Sequence, residues 1–138
     1  MNTHSEISVS LPARCEPVLR IVATPSNTNY AGDIFGGWIM AHVDTAGSLP
    51  AIRRAHGRVV TVAVNSFVFK QPVFVGDLVS FYAEVIKVGR TSVTVSVAVY
   101  AQRGLREGSE EICIKVTEAV LTYVAVDRNR KPRIVPSE

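Results

Sequence analysis

Between Ile34 and Ile52 the chain carries a single charged residue, Asp44. The rest of that stretch, IFGGWIMAHVDTAGSLPAI, is apolar or small. Such a segment has to be covered on most sides, and a carboxylate inside it rarely goes without a partner. Desolvation there should raise its pKa, and a poised base in a cleft is a typical consequence. Gly36-Gly37 opens the stretch as a flexible entry to a helix start. Helix starts offer unpaired N–H groups and the positive end of the dipole. A lone carboxylate about two turns on can share a pocket with those amides, an arrangement that suits attack of water on a carbonyl. A core helix with a structurally paired aspartate accounts for the same residues.

The same stretch approaches the lower length limit of a membrane span. Gly36-Gly37, His42, Asp44, Ser48 and Pro50 are unfavourable in lipid without partners, and the strand-rich remainder would bury such a helix well. No membrane partner is expected. At 138 residues the chain fits one domain with a real core. It is 47% hydrophobic and 20% charged, a globular balance. The net charge is only +3. Arg53-Arg54, Arg58 and the run Arg128-Asn129-Arg130-Lys131-Pro132-Arg133 cluster as basic groups, which are usually solvated surface. Aromatic residues make up 7% and do not interleave with the basic ones, which argues against nucleic acid. Cys15 and Cys113 form no metal or redox spacing, and Cys113 alternates into a strand as a small core residue. No metal or other cofactor is expected. The N-terminus lacks a basic region followed by an apolar run, so a reducing cytoplasm is the simplest location.

Along the chain, residues 1–14 read as a flexible N-terminal segment and 15–138 as a single domain. Val18–Ala23 reads as a strand and TPSNTNYAGD as turns. The helix is expected from about Gly37 to Arg54, with Pro50 kinking or shortening it and His56-Gly57 stopping it. Strands follow at Arg58–Phe69, Leu78–Val88, Ser92 onward and Ile112–Val126. Pro72 and Gly76 mark one turn, Gly89-Arg90 another, and Gly104–Gly108 a polar hairpin loop. Leu78–Val88 is apolar enough on both faces to be mostly buried. Val93, Val95, Val97 and Val99 alternate with small or polar residues, the clearest period of two in the chain. Ile112, Ile114, Val116, Val120, Val124 and Val126 are expected on one face of the last strand. The order β-α-β-β-β-β points to an α+β fold, with one long helix facing a long curved antiparallel sheet. One helix covers one face, so the edges and the other face invite a second copy.

Four motifs then carry a resemblance: TNYAGDIFGGWIMAHVD from Thr28 to Asp44, HGRVVTV from His56 to Val62, PVFVGDLV from Pro72 to Val79, and KVGRTS from Lys87 to Ser92. Tyr123–Asp127 followed by Pro132-Arg133 fits as well. With these, nearly the whole of Val18–Pro136 resembles the hotdog fold, and within it the bacterial acyl-CoA thioester hydrolases of the YciA type. The resemblance implies hydrolysis of fatty acyl-CoA to free acid and CoA. It also implies a pocket between two subunits, and assembly of dimers into a hexamer as a trimer of dimers. It matches Asp44 to the catalytic acid and Asn29 to an asparagine paired with it from the neighbouring subunit. It matches Gly36 and Gly37 to the backbone that polarises the carbonyl. Arg90 falls in the turn that contacts CoA phosphates, with Lys87, Gly89 and Arg58 as weaker CoA candidates beside it. Asn65 stands where close relatives would carry an acid, so any help from that acid is missing here.

Thioester hydrolysis needs an activated water, an oxyanion site and a grip on CoA. Asp44 is placed as general base, with direct attack through an anhydride as the other route. Amides near Gly37 and Trp38 would hold the oxyanion. Asn29 is equally suited to an Asx turn before Gly32. His42 lies two residues from Asp44, on roughly the opposite side of a helix, and reads as a packed or interface residue. Ser48 lacks a nucleophile-elbow context, and Asp33 reads as a turn or helix-cap acid. Trp38, Ile39, Phe67 and Phe69 suit either an acyl channel or the core. Two rival functions remain open from the residues alone: a hotdog hydratase or dehydratase, and a non-catalytic acyl-CoA-binding module.

Overall fold

A computed structural model describes residues 8–104 and 110–138. The expected Gly104–Gly108 loop therefore falls, beyond Gly104, outside the described residues, as do residues 1–7 of the N-terminal segment. The elements run β1 (Leu19–Val22), α1 (Gly36–Ala55), β2 (Val59–Phe69), β3 (Leu78–Val88), β4 (Ser92–Arg103) and β5 (Ile112–Ala125). The strands form one antiparallel sheet in the order β1-β3-β4-β5-β2. β1 closes one edge and β2 the other, so the strand that follows the helix pairs with the last one and not with its neighbour in sequence.

α1 lies on the sheet through a stripe of Ile39, Val43, Ala46, Gly47, Ala51 and Ala55, all buried. The spacing of three, four and seven is that of one helical face. Most of these side chains are small, which brings the helix axis close to the sheet. Pro50 neither ends nor shortens α1, which continues to Ala55. Its missing N–H is offset by the burial of Ala46, Ala51 and Ala55 of the same helix in the core. His56 takes the left-handed conformation at φ 56°. Its N–H reaches Arg53 O and that of Gly57 reaches Ile52 O. This is the Schellman closure that satisfies the last carbonyls.

The four alternating valines of β4 are buried under the helix as expected. β3 is not mostly buried. Its first half is, but Glu84, Ile86, Lys87 and Val88 are exposed. β1 is only four residues long and pairs with Leu78–Phe81, leaving the rest of β3 as an open edge. The face assigned to β5 also needs correction. The register slips between Val99 and Tyr100, so Val116 is an extra residue in β5. Such a bulge re-aims everything beyond it. Ile114 and Val116 are core, but after Thr117 the buried set is Ala119, Leu121, Tyr123 and Ala125, while Val120 and Val124 lie on the other face. Cys113 is buried, as its alternation implied, and Cys15 is exposed.

Two ionic features lock loops to this frame. Asp77, 2% exposed, receives Arg103 at 2.8 Å and the Phe74 N–H at 2.9 Å, holding the 72–77 turn. At the other end Arg133 donates to Ala55 O at 2.8 Å and Val126 O at 2.9 Å, with a longer contact to Arg58 O at 3.4 Å. The tail also bonds Arg90 O through the Val135 N–H at 2.9 Å. Arg133, grouped with solvated basic residues by its sequence neighbours, is in fact a clamp between helix end, sheet and tail. No helix among the described residues is long and apolar enough to cross a membrane.

Candidate active site

Asp44 sits mid-helix on the flank of α1 that faces the β2–β5 pair. Thr61 and Tyr123 are directly opposite each other in the β2–β5 ladder. Thr61 Oγ1 donates to Asp44 Oδ1 at 2.7 Å. Tyr123 Oη donates to the Asp44 main-chain oxygen at 2.8 Å and lies 3.2 Å from Oδ1. The carboxylate expected to have a partner therefore has two hydroxyl donors from one rung of the sheet. Both converge on Oδ1, and Oδ2 has no donor among the described residues. Burial pushes the Tyr123 phenol up, and the Asp44 carboxylate beside it adds in the same direction. The phenol stays protonated and remains a donor. Neither hydroxyl was found by sequence reasoning, because nothing local marks a residue that reaches Asp44 only through strand pairing.

The helix start lies about 10 Å from Asp44 along the axis, at about 1.5 Å per residue. A carbonyl and a water placed end to end span such a gap with hydrogen bonds of about 3 Å at either side. A Cβ on Gly37 would meet nothing within 4 Å, so its backbone borders open space. The N–H groups of Gly36 and Gly37 have no partner among the described residues. The Trp38 N–H, by contrast, donates to Phe35 O at 3.1 Å, which removes it from the expected oxyanion donors. Gly36 is needed for a different reason: a Cβ there would press on the Phe69 ring at 3.2 Å. Phe67 and Phe69 stack at 4.9 Å and put an aromatic wall beside the helix start. Ile39, 2% exposed, is core and lines no open channel. Trp38 packs on His42, with ring centroids 4.6 Å apart.

Asn29 forms the Asx turn. Its Oδ1 accepts from the Ala31 N–H at 2.9 Å and the Asp33 N–H at 3.1 Å. Its amide nitrogen has no partner among the described residues. Asp33 belongs to this turn and does not cap α1, whose N-cap residue is Phe35. His42 Nδ1 lies 2.8 Å from Trp38 O, and its ring stacks on Trp38 and Phe81, so it is a packed residue. Ser48 bonds back to Thr45 O at 2.7 Å. Asn65 Oδ1 accepts from Thr122 Oγ1 at 2.7 Å. Thr122 adjoins Tyr123 on the strand and so projects from the opposite face. Asn65 therefore turns away from Asp44 of its own chain.

The CoA candidates gather at one end of the sheet. Gly89 and Arg90 form the β3–β4 turn, with Lys87 just before it. Arg58 immediately precedes β2, and its carbonyl accepts from the Val126 N–H at 3.0 Å. Thr91 O accepts from the Ala125 N–H at 2.9 Å, so β5 places Arg58 and Arg90 on its two sides. The side chains of Arg58, Lys87 and Arg90 are exposed and make no ion pair among the described residues. Arg58, at this cationic end, lies three residues before Thr61 of the Thr61–Tyr123 rung. A cavity of about 290 Å³ lined by Cys15, Glu16, Tyr82, Glu84 and Tyr100 lies elsewhere, on the sheet face away from α1.

Residues 31–107 match the model of the thioesterase superfamily. The acyl-CoA thioester hydrolase YciA of Escherichia coli is 46% identical, over 88% of this chain and 91% of that one. The chain belongs to the thioesterase superfamily. Within it, this chain groups with the acyl-CoA thioester hydrolases. A hexameric hotdog fold thioesterase of Campylobacter jejuni superimposes with a TM-score of 0.84 at 48% identity, covering 88% of this chain and 91% of that one. An aspartate-to-alanine mutant of a hexameric broad specificity acyl-coenzyme A thioesterase superimposes with a TM-score of 0.81, also at 48% identity, over 88% and 87% of the two chains. The helix laid on a curved five-stranded sheet is thus the hotdog fold.

Proposed function

We propose that this protein hydrolyses fatty acyl-CoA thioesters to free acid and CoA, with Asp44 as the general base. The observation that carries the assignment is the Asp44 carboxylate with Oδ1 held by two hydroxyls and Oδ2 spare, two turns from the free amides of Gly36 and Gly37. A water bound at Oδ2 loses a proton to it while attacking the thioester carbon. The Gly37 N–H receives the developing oxyanion, aided by the positive end of the helix dipole. CoA thiolate departs as a stable anion, so no strong general acid is needed. Exposed Arg58, Lys87 and Arg90, with the close backbone of Gly89, hold the CoA phosphates, and no further cofactor takes part.

The pocket is completed by a second copy. β2 ends the sheet as an open edge, with Val62 at 55% and Val64, Val68 and Phe69 near half exposure. An apolar edge of this length is a surface for strand pairing. A second copy there would bring its Asn29 amide towards this chain's Asp44, with the dimers assembling further into a hexamer. The unit is the single domain 15–138, working in the cytoplasm.

Release of free thiol from a series of acyl-CoA chain lengths tests the activity. In the same assay Asp44→Asn keeps the shape and removes the base, so kcat falls by about 10²-fold or more while CoA still binds. A folded Asp44→Asn that retains most of the turnover overturns the assignment. A hydratase would need a histidine at the site, and His42 is committed to packing. An acyl-CoA-binding module would bind without releasing thiol.

A further inference from the structure

Tyr123 is 0% exposed, yet its hydroxyl ends inside the helix surface, on Asp44. It gets there because of Gly47. A Cβ built on Gly47 would lie 2.5 Å from Tyr123 Oη and 3.3 Å from Cζ. Gly47 is in the middle of α1 and is itself buried. Glycine in that position is about 1 kcal/mol less favourable than alanine, and alanine would otherwise suit the small-residue stripe formed by Ala46, Ala51 and Ala55. The missing methyl is the space the phenol occupies.

The bonds that result are directional. Tyr123 Oη grips the main-chain oxygen of Asp44 and reaches its Oδ1, while Thr61 donates to that same Oδ1. One carboxylate oxygen is anchored to the sheet twice, so the plane of the carboxyl group is set and Oδ2 is presented outward. Catalytic efficiency depends on such placement, and a misplacement of about 1 Å can cost on the order of 10²-fold. We propose that Tyr123 is a positioning residue that sets the Asp44 carboxylate for activation of water, and that Gly47 is the gap in the helix that admits it. This inference rests on Asp44 being the base.

Tyr123→Phe removes one hydroxyl and keeps the ring in the core. Its kcat falls about 10- to 100-fold, the scale of a lost hydrogen bond to a charged group, with KM for acyl-CoA little changed. In an Asp44→Asn background the same change alters the residual rate less than about twofold, because the group it positions is gone. A general folding defect would instead multiply the two losses. Gly47 supplies a second readout that does not involve activity. Gly47→Ala lowers Tm by more when Tyr123 is present than in Tyr123→Phe, where the 2.5 Å clash with the hydroxyl is gone and only the ring carbon Cζ at 3.3 Å still crowds the methyl.

The possible failures are distinct. Full turnover by Asp44→Asn overturns the base assignment. Loss of turnover in Asp44→Asn with wild-type kcat in folded Tyr123→Phe overturns the positioning role alone. Multiplicative losses in the double variant overturn it as well. A Gly47→Ala loss of Tm of equal size in both backgrounds overturns the role of the gap.

Discussion

Arg133 offers the sharpest test of how the tail, the helix end and the cationic end of the sheet are held together. Arg133→Ala deletes the donors to Val126 O and Ala55 O, at 2.9 and 2.8 Å, and the longer contact to Arg58 O. A hydrogen bond from a charged donor contributes about 1.5–3 kcal/mol. Two of the three are short, and the guanidinium is half-buried, so part of the gain is lost to solvent screening. A net loss of about 2–3 kcal/mol follows. For a domain of this size each kcal/mol moves Tm by about 3–5 °C, giving a drop of about 10 °C. The assay is thermal unfolding followed by circular dichroism at fixed protein concentration, because self-association itself moves Tm. Arg128→Ala is the control. It lies in the same basic run but is exposed, and its change should stay within about 0.5 kcal/mol. If Arg133→Ala melts within about 2 °C of that control, the clamp argument is wrong, and the tail is held by its other bonds, Val135 N–H to Arg90 O and Arg54 to Pro136 O.

Two further outcomes follow from the proposed site. Arg90→Ala should raise KM for acyl-CoA and weaken its salt dependence, while a short thioester without the nucleotide should be nearly unaffected; equal damage to both substrates would indicate a folding role. For the shared pocket, Asn29→Asp keeps the turn acceptor at Oδ1 and removes the free amide donor. Mixed with Asp44→Asn under subunit exchange, it should regain activity up to about half per mixed dimer, since both lesions then fall in one of two symmetric sites. Exchange confirmed by native mass measurement without recovered activity would place the site within one chain or remove Asn29 from it.

Local pattern alone located every element, because helix and strand impose different spacings on apolar residues. The valines of β4, the Gly-Gly entry to α1, the His56-Gly57 stop and the lone acid Asp44 could all be read directly. So could the superfamily, since its longest motif runs from Thr28 to Asp44. What failed did so where a residue's environment is made by chain segments distant in sequence. The bulge at Val116 reverses the face of β5, and no residue there announces it. Pro50 is tolerated because Ala46, Ala51 and Ala55 hold the same helix in the core. Arg133 looks like its solvated neighbours until Ala55 and Val126 supply carbonyls. Asp44 was visible from its isolation, but its partners were not. Thr61 and Tyr123 meet it only because β2 pairs with β5, and the phenol reaches it only because Gly47, far away in sequence, leaves room. Sequence singled out the side chain proposed to carry the chemistry. The tertiary structure alone decided how that carboxylate is held, since strand register and the closeness of helix to sheet are properties of the packed chain and not of any local stretch.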